Sequence, residues 1–178
     1  MIAVAITGCG KAKHENPKGT AIANNAPSDP KKVEAVAIAM GAANNTRTEL
    51  KTREKQWYIE WQSANIAIVN GQQSGDMFQV KGNAYEKGKV ASSFFANHAE
   101  ADKAADRLIL DGGIKITSES TKAVLTAKKV EWLPKNKLFK ASGDVLLDSP
   151  HGVVGPVDVL FADANLKKVA SSIKYFSK

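Results

Sequence analysis

Apolar and polar residues alternate with a period of two through most of the chain downstream of residue 55, as in Leu108-x-Leu110-x-Gly112-x-Ile114-x-Ile116. That alternation marks strands with one buried face. The run "QWYIEWQSANIAIVNG" at 56–71 is aromatic and β-branched, and Gly71 closes it. "DMFQVKGNAYEKG" at 76–88 reads as a hairpin turning at Glu86-Lys87-Gly88, and "KVASSFFANHAEAD" at 89–102 is the next strand. "KAADRLILDGGIKITS" follows at 103–118, and turn chemistry recurs in "YEKGK" at 85–89, "LPKNK" at 133–137 and "DSPHG" at 148–152. Residues 153–163, "VVGPVDVLFAD", contain Pro156, which a sheet tolerates only at an edge or a bulge. The closing "KKVASSIKYFSK" has the alternation of one final strand.

The alternation repeats as a unit. Within 78–163 a shift of about 31 residues places Ala96 on Ala127, Leu108 on Phe139, Leu110 on Ala141, Gly112 on Gly143 and Ile116 on Leu147. A fainter upstream copy puts Phe78, Val80 and Gly82 where Leu108, Leu110 and Gly112 fall. A mid-strand Gly marks a bend, a bulge or a close approach of backbone. Glycines at one phase of three units predict a sheet that curves at the same level each time. The expected fold is an all-β antiparallel meander, each unit contributing roughly two strands joined by tight turns.

Upstream the pattern fades. Residues 10–30 are rich in Gly, Pro, Asn, Ala and Lys without period and read as a flexible tether. Asp29-Pro30 resembles an N-cap with Pro at the first helical position, so "KKVEAVAIAMG" at 31–41 reads as a short helix, or by its alternation as a strand. Residues 42–55 are polar. The organisation expected is a leader-like 1–9, a tether over 10–55 and a β domain over 56–178.

Length, charge and cysteine count narrow the chemistry. At 178 residues the chain suffices for one domain and a tail. The net charge of +7 favours anionic partners, but no Lys/Arg run exceeds two, so no nucleic-acid partner is expected. One cysteine excludes an internal disulfide and a zinc cluster. His14, His98 and His151 stand at no catalytic or metal-ligand spacing, and Asp102, Asp106, Asp111, Asp144 and Asp163 flank turns and strand ends. Gly112-Gly113 precedes a strand, so it offers no helix N-terminus to a phosphate. Neither an enzyme nor a cofactor or metal is expected.

What remains is inward-facing apolar surface: Phe78, Val80, Phe94, Leu108, Leu110, Ile114, Ile116, Leu125, Val130, Trp132, Phe139, Val145 and Leu147. These residues either fill a solid core, as in a structural or adhesive β-repeat protein, or line an acyl-chain groove between splayed sheets. Ala96, Ala99, Ala127 and Ala141 at inward phases leave space that favours the groove.

Two resemblances bear on the choice. Ile6-Thr7-Gly8-Cys9 resembles the lipobox of a bacterial lipoprotein signal, without its basic region or a long apolar core, and makes Cys9 the candidate lipid-attachment site. "SFFANHAEADKAADRLILDGGIKI", "VLTAKKVEWLPKNKLFKASGDVLL" and "HGVVGPVDVLFAD", with the entry Trp57-x-x-x-x-x-x-Ala64, resemble the OstA-like pattern of periplasmic lipopolysaccharide-export proteins of the LptC and LptA type, over residues 56–176. The resemblance implies an open-ended antiparallel β-jelly roll that carries lipopolysaccharide, or a related lipid, in its apolar interior. It implies as partners an LptA-like jelly-roll protein, joined edge to edge, and an inner-membrane ABC transporter. The expected localisation is the periplasm, held at a membrane, the inner one by this reading, through the lipid on Cys9. That anchor replaces the transmembrane helix typical of LptC. Lys115, Lys128, Lys129 and Lys140 are then candidates to meet lipid phosphates at the groove rim.

Overall fold

The period-two alternation folds as strands: the computed structural model describes residues 35–48, 53–102 and 106–176, and among them there is no α-helix. In chain order the strands are β1 (Ala35–Met40), β2 (Ala43–Thr48), β3 (Lys55–Trp61), β4 (Ser63–Val69) and β5 (Gln72–Glu86). There follow β6 (Lys89–Asp102), β7 (Arg107–Ser118), β8 (Val124–Leu133), β9 (Leu138–Ser149), β10 (Gly152–Asp163) and the two-residue β11 (Val169–Ala170). All pair antiparallel in one open, jelly-roll-like sheet ordered β1-β4-β5-β6-β7-β8-β9-β10-β11, with β2 and β3 attached beside β5. The strands belong to one compact unit, Val33–Lys178. Cys9, His14 and the 10–34 part of the tether lie outside the described residues.

Turn chemistry sets the hairpins. Asn70-Gly71 and Lys87-Gly88 each supply two successive residues with positive φ. That is the backbone a two-residue turn needs to match the twist of its flanking strands.

Bulges bend the long strands. Between the pairs Asp111↔Lys129 and Ile114↔Ala127, Gly112 and Gly113 in β7 oppose the single residue Lys128 in β8. Gly143 and Asp144 in β9 do the same one unit later, and both couples are left-handed. An extra residue re-aims a strand and increases its twist. The predicted level of curvature is therefore present at Gly112 and Gly143. Gly82 is not part of it: the bend in β5 falls at Gln79, which takes φ +52°. Pro156 stands in edge strand β10, at a register shift between Val154 and Val157, so it occupies both kinds of place open to a proline.

The bend divides the sheet into two faces that pack on each other. β4 pairs with the first half of β5 (72–78) and β3 with its second half (81–84). Trp57 of β3 and Phe94 of β6 meet Leu108, Leu110, Val130, Trp132 and Phe139 from the other half. The buried cluster extends from Ile59 to Leu166 as one core.

Three segments differ from the sequence expectation. Residues 35–40 take the strand alternative to the helix and form β1, so β structure begins there instead of at 56. The 56–71 run is two strands, broken at Gln62, whose N–H donates to the Phe78 carbonyl opposite the bend of β5. The closing segment holds only the two-residue β11 before a 3₁₀ turn over Ile173–Phe176.

Candidate functional site

Twelve of the thirteen inward candidates are buried in the core: Val80, Phe94, Leu108, Leu110, Ile114, Ile116, Leu125, Val130, Trp132, Phe139, Val145 and Leu147. Phe78 is not. It is 39% exposed on the opposite face, its ring 5.3 Å from that of His98. The cause is the left-handed Gln79 beside it, which shifts the alternation so that Met77 and Val80 point inward.

The interior that these residues build is filled. Between Trp57, Phe94, Leu108, Leu110, Val130, Trp132 and Phe139 the free volume is about 10 Å³. That is no more than one water-sized probe occupies. Ala96, Ala99 and Ala141 do face inward and are buried, Ala127 packs partly buried against the core, and Trp132 stands edge-on to Phe139 at 5.1 Å.

Free volume lies instead at one end. A cavity of about 410 Å³ opens between β1–β2 and the starts of β5 and β7. Its apolar wall is Met40, Trp57, Ile59, Trp61, Ile66, Met77 and Ala101, and its polar rim includes Asn45, Gln73, Ser74, Asp102, Asp106 and Arg107. Arg107 is tied to Glu100 at 2.6 Å. Among the described residues the buried indole N–H of Trp61 has no acceptor, an arrangement that native interiors rarely leave. None of the thirteen candidates lines this cavity. Trp57, Ile59 and Trp61 were readable as an alternating row in the sequence. Met40 and Ile66 were not, because they come together only once β1 pairs with β4.

The lysines proposed for the rim stand elsewhere. Lys115 lies between inward Ile114 and Ile116, and Lys140 between inward Phe139 and Ala141, so strand alternation points both outward. Lys128 and Lys129 are exposed at the bulge, and Lys128 pairs with Asp144 at 2.6 Å.

On the outer face β5, β6 and β7 bring Asp76, His98 and Asp111 together. His98 Nδ1 is 2.8 Å from Asp111 Oδ2, and Nε2 is 3.4 Å from Asp76 Oδ1. Partial burial pulls the imidazole pKa down. The hydrogen bond and charge of Asp111, then those of Asp76, outweigh it and raise the pKa above its ordinary 6.5. A raised histidine pKa stabilises the fold fully below about 6.5, and that contribution is lost as pH climbs through the folded-state value. The urea midpoint is therefore expected to fall as pH rises from about 6 to 8, and His98→Gln to flatten the slope. An unchanged slope in the variant would remove His98 as its source.

Among the described residues no cluster of His, Cys, Asp and Glu is suited to a metal, and no helix is long and apolar enough to cross a membrane. No protein-family model matches the sequence, and none of the curated proteins compared with it matches either.

Proposed function

We propose that the chain is a lipid-carrying module, which takes acyl chains of lipopolysaccharide or a similar glycolipid into the open end of its jelly-roll interior and passes them to an adjoining jelly roll. The observation that carries this reading is the 410 Å³ apolar-walled cavity at one end of the sheet. Its size falls within the range of roughly 300–1,000 Å³ typical of small-molecule sites. Each methylene moved from water into such a wall gains about 0.8 kcal/mol, and passage to a similar wall keeps that gain. Transfer between modules is then nearly level in free energy, and direction comes from an energised partner. An inner-membrane ABC transporter and an LptA-like neighbour fit that role, with Cys9 lipidated and the domain in the periplasm. Two sheet edges support the contact: among the described residues, β1 pairs only with β4, and β10 from Gly152 to Leu160 pairs only with β9. Unpaired edges accept another strand.

One observation favours the second reading, a structural β-repeat protein without cargo: the filled interior around Trp132 and Phe139. Photo-crosslinkers placed at Met77, at the mouth, and at Leu110, in the filled centre, separate the two. With lipopolysaccharide in vesicles, adducts at Met77 are expected. Met77→Trp should weaken binding about tenfold, or about 1.4 kcal/mol. A protein that forms no adduct at Met77 and melts at the same temperature with and without lipid has a structural role only.

A further inference from the structure

We infer a second site on the outer face of the sheet, a saccharide groove floored by Phe95. A cavity of about 470 Å³ lies there, against the turn joining β1 and β2 and the middle of β5 and β6, lined by Asn44, Glu60, Gln62, Gln79, Lys81 and Phe95 among others. Antiparallel register sets Glu60, Lys81, Phe95 and Lys115 side by side across four strands. Phe95 is 40% exposed, although its neighbours Phe94 and Ala96 are buried on the inner face. It is an aromatic platform facing water.

The polar groups around it are chosen for hydroxyls more than for charge. Lys81 is held by Glu60 at 2.8 Å, and Glu60 also accepts from the Tyr58 hydroxyl at 2.9 Å. The pair neutralises itself and fixes the carboxylate in place. Hydrogen bonding to Lys81 and then to Tyr58 lowers the Glu60 pKa, so it stays an acceptor at neutral pH. Asn44, Gln62 and Gln79 project exposed amides into the same groove. Each amide offers a carbonyl acceptor and two N–H donors, the complement of adjacent sugar hydroxyls.

A pyranose has weakly positive C–H bonds on one face and hydroxyls round its edge. The first stack on the negative face of a phenyl ring, and the second reach the amides. A nucleic acid would call for several uncompensated cations, whereas of the two lysines flanking Phe95 in the register Lys81 is already paired with Glu60. A peptide strand would call for a free edge, and this is the face of the sheet.

The groove adjoins the inner cavity: Ala43, Asn44 and Trp61 line both. An amphiphile with an acyl chain inside and a sugar outside matches that arrangement. This last link rests on the proposed lipid-carrying function; the saccharide groove does not.

The test uses the full chain with deacylated lipopolysaccharide and with chitobiose, neither of which carries an acyl chain. NMR titration should shift the side-chain amides of Gln62 and Gln79 and the Phe95 ring, with a Kd of about 1 mM or tighter for at least one of them. Phe95→Ala, at an exposed position, should weaken that binding at least about tenfold and leave the binding of a fluorescent fatty acid unchanged. If neither saccharide moves these signals, or if binding survives Phe95→Ala at full strength, the groove is not a saccharide site. Saccharide binding without fatty-acid binding would keep the groove and discard the lipid-carrying function.

Discussion

Gly82→Ala is expected to lower the unfolding midpoint by about 10 °C, from a loss of about 3 kcal/mol in a domain of this size. Gly82 lies in β5 between Ile59 of β3 and Phe94 of β6. A methyl group there would overlap the Tyr58 carbonyl oxygen and the edge of the Phe94 ring. Neither can withdraw. Tyr58 is locked in the ladder opposite Asn83, and Phe94 is buried among core side chains. Gly41→Ala is the control, since a Cβ at Gly41 meets nothing within 4 Å and its φ is ordinary. It should leave stability within about 0.5 kcal/mol. Thermal and urea unfolding followed by circular dichroism would measure both. A Gly82→Ala protein as stable as its parent would mean that the Phe94 ring does not lie over this strand.

Gly82 also shows how far the sequence could be read. A shift of one unit groups it with Gly112 and Gly143, yet these glycines serve different ends: two allow left-handed bulges, one admits a ring. The strands themselves were legible. "KVASSFFANHAEAD" is β6 from first residue to last, and the alternation in β7 and β9 placed Leu108, Leu110, Ile114, Ile116, Phe139, Val145 and Leu147 on the buried side. In those two strands the left-handed couple adds one residue relative to β8, and period-two parity survives along the bulged strand itself. At Gln79 in β5 nothing is inserted, since Phe78↔His98 and Val80↔Ala96 stay in register. Yet the single left-handed residue flips the parity and sends Phe78 outward with no Gly or Pro to announce it. β1 was ambiguous for a different reason: "AVAIAM" is half alanine, and only pairing with β4 decides it. The His98 cluster was out of reach altogether. Its partners lie on two neighbouring strands, and spacing along the chain carries no record of that register.

The open end of the interior depends on the same cross-strand placement. Trp57, Ile59 and Trp61 line it because β3 reaches only the second half of β5, and β1 and β4 face them from the first half. The sheet thus fills its centre with rings and leaves its volume at one mouth. Where any acyl chain would sit follows from that division.

Phe139→Ala puts the division to a quantitative test, with an expected loss of about 4 kcal/mol. The ring is buried, stands edge-on to Trp132 at 64°, and faces a void of only about 10 Å³ shared with Trp57, Leu108 and Val130. Its neighbours cannot close over the hole. β8 and β9 are held in register from Leu133↔Leu138 to Lys129↔Ser142, so the cavity term adds to the lost burial. Met77→Ala, in the wall of a cavity that is already open, removes contacts on one side only and should cost about 2 kcal/mol or less. The two values, read from urea unfolding beside fatty-acid binding, locate the cargo. A large loss at Phe139 together with binding that responds only to Met77 keeps the acyl chain at the mouth. If Phe139→Ala instead costs under about 2 kcal/mol and raises the amount of lipid bound, the rings yield easily and the path for hydrocarbon runs through the centre of the sheet.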